Sequence, residues 1–330
     1  MLSWLTGNKA AAGAKATADK GDLQLNAKPR LVYSGDRAAH ASAAQITQEE
    51  AAQIALVRQR LDDYKHKNDP WLDDACIRRY VRAESGDLDS AASRLKATVE
   101  WRMDFKPVDG ISREDLEAEG AMGRVYLNGF DLNGHPIMYM ICRRNGSGDH
   151  MRGLRWSIFM LEKAIAAMPP GVEKLSIVVD YSDLNPLKNS TPMHITRMWI
   201  DTMQNHYPER LATSFMMNPG WTLWVFFKVI GNFLDPVTKA KINFCKTNPK
   251  NPHELPDKTS SSEDNDLHKT SSKDNDLHKT SSEDNDLDKE ELIVEESVSK
   301  KTAGWGDFVN VHEFIHKDEL EHSFGGHFPF

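Results

Sequence analysis

The chain of 330 residues is short of cysteine, of long apolar runs and of net charge outside one segment. Its three cysteines, Cys76, Cys142 and Cys245, are scattered and odd in number. That argues against a disulfide framework and for a reducing compartment. No run of about 18 apolar residues occurs, so no transmembrane span is expected and membrane contact would be peripheral. The opening MLSWLTGNKAAAG has neither a basic stretch ahead of its apolar residues nor a long apolar core, so it is not expected to act as a secretory signal. The total charge is −8, but residues 257–296 hold fourteen acids and five bases, and the remainder carries +1. A near-neutral remainder offers no basic field for nucleic acid. GxSxG, a Walker loop and GxGxxG after a strand are also missing, so no catalytic residue and no cofactor are expected, and the protein is read as no enzyme.

Residues 1–45 are rich in Ala, Gly, Lys and Ser without sustained periodicity, and are predicted to be disordered. From Thr47 the signals change. Thr47 and Glu50 form a capping box, and Ala51, Ile54, Leu61 and Tyr64 follow at helical spacing. Two further helices are predicted over about 72–84 and 88–104, split by Ser85-Gly86-Asp87, where Gly ends one helix and Asp starts the next. Residues 46–110 thus read as a helical module. A β/α region follows over 111–330. Its strands are predicted at Val125–Leu127, Pro136–Cys142, Leu175–Asp180, Leu211–Met217 and Ile242–Phe244, and its helices at about 152–168, 192–206 and 221–234. Strands alternating with helices predict an α/β fold with a mixed, mostly parallel sheet. Within it, 250–305 is an acidic insertion in which Lys258–His268, Lys269–His278 and Lys279–Asp288 repeat the theme KTSS-E/K-DNDL-H/D. A polar ten-residue repeat buries too little to offset its chain entropy, so this loop is also predicted to be disordered. Ser261, Ser271 and Ser281 each have an acid three residues on, a pattern that acid-directed kinases favour.

The most telling stretch is Gln204–Lys241. It joins Tyr207-Pro208-Glu209-Arg210, a short apolar strand, an apolar aromatic helix, and Asp235-Pro236-x-Thr238-x-x-Lys241. The helix from Trp221 to Leu234 has Lys228 as its one charge, so it must be buried or cover something apolar. Upstream stand Ile77–Ala83, Glu100-Trp101-Arg102, Gly129-Phe130-Asp131 with Gly134-His135-Pro136, and Ile177–Asp180; downstream stands Phe324-Gly325-Gly326. These pieces, in this order, resemble the CRAL-TRIO lipid-binding domain in the branch of the yeast secretory phosphatidylinositol transfer protein. The resemblance covers roughly residues 70–245 and 308–326.

The resemblance implies a helical module packed on an α/β domain whose sheet floors an apolar cavity under a gating helix. It implies a protein of the cytoplasm, peripheral to membranes and monomeric, that shelters one phospholipid, most readily phosphatidylinositol, and exchanges it during transient membrane contact. In that family Glu209, Thr238 and Lys241 correspond to residues that hold the phosphatidylinositol headgroup. Lys neutralises phosphate, Thr donates to it, and Glu accepts from inositol hydroxyls or orients the Lys. Glu84 and Ser85 stand where the family carries a basic pair, which leaves Arg82 as the substitute. Leu175, Ile177 and Val179 would line the acyl pocket, with Trp221, Trp224, Phe226, Phe227 and Ile230 lining or covering it. The family's phosphatidylcholine carriers have hydroxyl residues where this chain has Leu175 and Ile177, so weak phosphatidylcholine exchange is expected. Sterol, squalene-like and haem ligands, seen among relatives, are the alternatives.

One string points elsewhere. His312-Glu313-Phe314-Ile315-His316 has the HExxH pattern, and His322 falls where a third zinc ligand would stand. Glu319 replaces the Gly that a metzincin uses to bend its chain, and only eight residues follow His322. The string is therefore read as a decoy, with no metal expected. A scaffold without ligand, its cavity filled by side chains, is the remaining rival. His150, His194 and His206 are isolated and read as surface or satisfied core residues.

Overall fold

The computed structural model describes residues 45–144, 148–184, 191–220, 231, 234–247, 310–320 and 324. The N-terminal segment through residue 44, the acidic repeat and all of the predicted gating helix except Gly231 and Leu234 lie outside the described residues.

Three helices open the described chain: α1 (Gln48–Arg60), α2 (Asp74–Ala83) and α3 (Leu88–Phe105). The Thr47/Glu50 capping box is formed in both directions, with Glu50 N donating to Thr47 Oγ1 at 3.2 Å and Thr47 N donating to Glu50 Oε2 at 3.0 Å. Leu61 and Tyr64, read at the sequence level as part of α1, follow it in turns. Between α2 and α3 both Ser85 and Gly86 take positive φ, and Asp87 caps α3. Ile54, Val57, Ile77, Tyr80, Leu95 and Val99 anchor a core belonging to these helices.

A fourth helix, α4 (Arg113–Met122), is absent from the sequence reading. Its REDLEAEGAM carries almost no apolar period. Its signals are local, Ser112 capping Asp115 N at 3.1 Å and Gly123 closing it at φ 58°.

Five strands follow: β1 (Val125–Phe130), β2 (Pro136–Ile141), β3 (Leu175–Asp180), β4 (Leu211–Met217) and β5 (Ile242–Cys245). They pair in the order β1-β2-β3-β4-β5. The β1–β2 pair is antiparallel and the other pairs are parallel, the mixed, mostly parallel sheet that the alternation predicts. β1 runs past the predicted Leu127 to Phe130, through a register shift where Gly129 sits at φ 65°. α5 (His150–Ala166) links β2 to β3, and α6 (Met193–His206) links β3 to β4. Parallel neighbours that follow one another in sequence, joined by crossovers of one hand, put both helices on the same face. On that face α5 contributes Leu154, Trp156, Ile158, Phe159 and Leu161 against Met138, Ile177 and Met216 of the strands. The opposite face is closed by the C-terminal segment, with Val311, Ile315, Leu320 and Phe324 on Tyr126, Tyr139, Val178 and Phe215.

The helical module docks against α6 and the loop before β3. Trp101 stacks on His206 at 4.2 Å and 8°, and Arg102 pairs with Glu162 at 2.6 Å. Two buried arginines, Arg78 and Arg79, reach Glu173 at 2.9 and 2.8 Å.

Candidate functional site

Strand alternation decides which residues face the hollow side. Odd positions of β3 and even positions of β4 point toward α5 and α6. Here β3 and β4 present Ile177, Val179, Ser214 and Met216, joined by Val125, Met140 and Ile242 of their neighbours. None of these is aromatic, so they fill little of the space that α5 and α6 enclose. The result is a cavity of about 1370 Å³, walled on the helical side by Leu154, Trp156, Ile195, Trp199, Ile200 and Met203. Ordinary small-molecule pockets span ~300–1,000 Å³.

Ile177 and Val179 line this cavity as expected from the resemblance. Leu175 does not. It is fully buried at the start of β3, with its backbone N bonded to Arg210 O, and packs into the solid part of the same core. The aromatic residues Trp221, Trp224, Phe226, Phe227 and Ile230 lie outside the described residues. Ser214, the register partner of Ile177, brings a hydroxyl to the wall from the adjacent strand, a residue that reading β3 alone misses.

The cavity has two polar ends, because parallel strands start at one end and finish at the other. At the starting end lie Arg82, Glu84, Arg94, Glu209, Thr238 and Lys241. Glu209 sits in the tight turn before β4 at φ 58°, a left-handed conformation that costs a non-glycine residue roughly 1–2 kcal/mol. Such strain persists only where the surroundings hold it. Its carboxylate pairs with Lys174 at 3.3 Å, a lysine that the sequence reading did not single out. The Asp-Pro signature after the aromatic stretch forms a short helix, α7 (Pro236–Ala240), with Asp235 as cap and Pro at its first turn. Asp235 accepts from Thr238 N at 2.8 Å and from Thr238 Oγ1 at 2.6 Å. The Thr238 hydroxyl therefore already donates within the helix cap and has its acceptor side left for a ligand. Lys241 ends α7 half-buried, and burial lowers its pKa against the raising influence of Glu209 and Asp235.

Arg82 reaches the same end, but its charge is engaged. Its guanidinium meets Glu50 Oε1 at 2.5 Å and lies 3.9 Å from Glu173. Glu84, where the family has a base, pairs with Arg94. Among the described residues four Arg or Lys side chains line the cavity: Arg82, Arg94, Arg124 and Lys241. The first two are ion-paired, and Lys241 and Arg124 have no carboxylate within ion-pair distance among the described residues. Lys241 is thus the cation at the starting end open to an anionic headgroup.

The histidine string in the tail does not build a zinc helix. Val311–Glu313 is a single 3-10 turn, followed by turns through Leu320. His316 Nδ1 instead accepts from Asp318 N at 3.3 Å, and Val311 and Ile315 are buried against the sheet. His322 lies outside the described residues. Of the two readings for His206, surface or satisfied core, the structure has the second, with its ring stacked on Trp101. Burial first, then Arg94 and Arg102, push its pKa down to about 4, and its Nδ1 lies 3.0 Å from Thr98 Oγ1.

Comparison with known proteins bears on this geometry. The family model of the CRAL/TRIO domain matches residues 121–261, which span all five strands, α5, α6 and α7. Residues 121–261 are thus similar to CRAL/TRIO domains. Phosphatidylinositol transfer protein PDR17 of Saccharomyces cerevisiae is 32% identical over 202 residues, 56% of this chain and 58% of that protein. A CRAL-TRIO domain-containing protein of Schizosaccharomyces pombe is 33% identical over 174 residues, 53% of this chain and 17% of that one. Phosphatidylinositol transfer protein CSR1 of Eremothecium gossypii is 28% identical over 187 residues, 53% of this chain and 42% of that protein. The chain therefore spans less than two thirds of each of these three relatives. The cavity just described is built almost wholly by the matched residues 121–261, with the helical module adding Arg82, Glu84 and Arg94 at its rim.

Proposed function

We propose that this protein binds one phospholipid, phosphatidylinositol first, and transfers it between membranes. The observation that carries this reading is an apolar cavity of about 1370 Å³ with Lys241 at one end, a cation that has no carboxylate within ion-pair distance among the described residues. Acyl chains leaving water gain ~0.8 kcal/mol per CH₂, so a lipid stays bound unless the cavity opens against a membrane. Exchange then moves chains from one hydrocarbon environment to another, and no bond is made or broken. The phosphodiester is met by Lys241, the acceptor side of Thr238 is free for an inositol hydroxyl, and Glu209 accepts from another. Arg82 contributes less than the resemblance implies, since Glu50 already satisfies it. Relatives named phosphatidylinositol transfer proteins support this choice of lipid. Phosphatidylcholine is carried poorly, because β3 offers no hydroxyl to the cavity and Ser214 of β4 is the one strand hydroxyl among its described lining residues.

No described helix is long and apolar enough to cross a membrane, and in this reading the protein works as a monomer from the cytoplasm, touching membranes transiently. The test is transfer of labelled lipid between vesicles, with native mass spectrometry of the protein purified from cells. Phosphatidylinositol should be carried, and Lys241→Met should slow its transfer about tenfold, the loss of roughly one charge-assisted contact. A dominant phosphatidylcholine adduct, or a protein with no lipid at all, defeats the reading.

A further inference from the structure

The other end of the cavity is also polar, and the cation there, Arg124, has no carboxylate within ion-pair distance among the described residues. Arg124 precedes β1, Cys142 follows β2 and Tyr181 follows β3, so all three sit where the parallel strands finish, opposite Lys241. Thr191, just ahead of α6, completes the group and accepts from Arg124 Nη2 at 2.9 Å. Arg124 is partly buried and faces the cavity. The acids that line this end are engaged elsewhere. Glu119 accepts from Arg152 Nε at 3.1 Å, and Asp149 caps α5 through Met151 N and Arg152 N at 3.0 Å each. The thiol of Cys142 and the phenol of Tyr181 are held neutral by burial, so they compensate no charge.

A guanidinium fork in an apolar cavity, served by one hydroxyl and no carboxylate, is a receptor for a singly charged oxyanion. We infer that Arg124, Thr191 and Tyr181 form a second anchoring site, which takes the oxyanion of a monoanionic amphiphile while its alkyl chain lies along the aliphatic walls. A free fatty acid supplies that chemistry with the least bulk; a phospholipid entering head-first supplies it as a phosphodiester. The cavity would then accept lipids in two opposite polarities, anchored at Lys241 or at Arg124. This extends the reading of the cavity as a lipid site, and does not depend on phosphatidylinositol being the lipid at Lys241.

The full chain, stripped of lipid, is titrated with oleate, with oleyl alcohol and with short-chain phosphatidylglycerol below its micellar concentration. Oleate is expected to bind about tenfold more tightly than oleyl alcohol, and Arg124→Met to abolish that difference while leaving the alcohol unchanged. If phosphatidylglycerol rather than oleate depends on Arg124, the oxyanion is a phosphodiester and the site stands. Equal binding of oleate and its alcohol by the unsubstituted protein, with phosphatidylglycerol indifferent to Arg124→Met, overturns it. If Arg124→Met fails to fold, Thr191→Val decides instead, and is expected to narrow the preference for oleate over its alcohol. Phosphatidylinositol transfer measured on the same preparations separates the two proposals. Transfer that persists while neither oleate nor phosphatidylglycerol binding depends on Arg124 sinks only this site, and no binding of any lipid sinks both.

Discussion

The two faces of the same sheet are built from alternate residues of the same strands, yet one is solid and the other hollow. On the closed face Tyr126 and Tyr139 stack at 5.1 Å and 6°, and Tyr139 stacks in turn on Phe324 at 6.1 Å. Phe215 of β4 meets Phe314 of the tail at 5.2 Å. On the other face the same strands present Ile177, Val179, Ser214 and Met216, and a cavity remains under α5 and α6. Backbone and register are shared, so the difference lies in the side chains that the strands present and in what covers them, α5 and α6 on one face and the C-terminal segment on the other. A one-residue slip of β4 would turn Phe215 into the cavity and Met216 onto the tail, which is why register carries function here as well as stability.

The largest effect tests that difference. Phe215→Ala on the solid face should cost about 3–5 kcal/mol in urea unfolding, because a fully buried ring leaves a void among close-packed aromatic neighbours. Ile177→Ala, one strand away on the hollow face, should fall near the ~2 kcal/mol floor for such a truncation, since it enlarges a space that already exists. Equal losses would mean that the cavity is not a standing feature of the folded protein.

Much of the frame that makes this contrast possible is legible in the sequence, and the reasons differ by element. The Thr47/Glu50 box, the Asp87 cap and the apolar run of β3 are local signals, and the chain obeys them. α4 escapes because its helix is specified by caps while its apolar positions are too few to show a period. The candidate site is less legible. Glu209 and Lys241 can be picked out through a resemblance, but whether a cation is available depends on partners far away in sequence. Arg82 is taken by Glu50, 32 residues earlier, and Arg124 is left open because Glu119 is taken by Arg152, 33 residues on. Leu175 and Ile177 have the same strand parity, and only the tertiary fold puts one in solid core and the other at the cavity wall.

A smaller effect tests how the solid face is sealed. Gly129 takes φ 65° at the irregularity in β1, and a Cβ there would sit 3.1 Å from Glu319 Cβ in the tail. Gly129→Ala should cost roughly 1–2 kcal/mol from the left-handed backbone alone. It should also raise amide exchange in the tail residues Val311–Leu320 more than in the β3–β4 pair. Loss spread evenly over the molecule would show that Gly129 supports the whole sheet and not the seal.

The smallest effect separates the two sides by pH. His206 ends α6 on the helix-covered side, stacked on Trp101, with its pKa lowered from 6.5 to about 4 by burial and by Arg94 and Arg102. The unfolded chain binds this proton first as pH falls, so the stability that the neutral ring contributes is present above pH 6.5 and is lost between about 6.5 and about 4. After allowance for its partial exposure the loss is on the order of 1 kcal/mol. His206→Phe keeps a ring to stack on Trp101 and removes the titration, so the variant's stability should flatten across that window relative to the unsubstituted protein. Because His206 immediately precedes the Tyr207-Pro208-Glu209 turn, the same protonation would loosen the module where it meets the Lys241 end of the cavity. Protection of α3 amides should therefore fall at pH 5 while that of Tyr139 and Phe215 on the solid face holds; parallel loss at both would assign the pH dependence to the carboxylates of the whole fold and not to this ring.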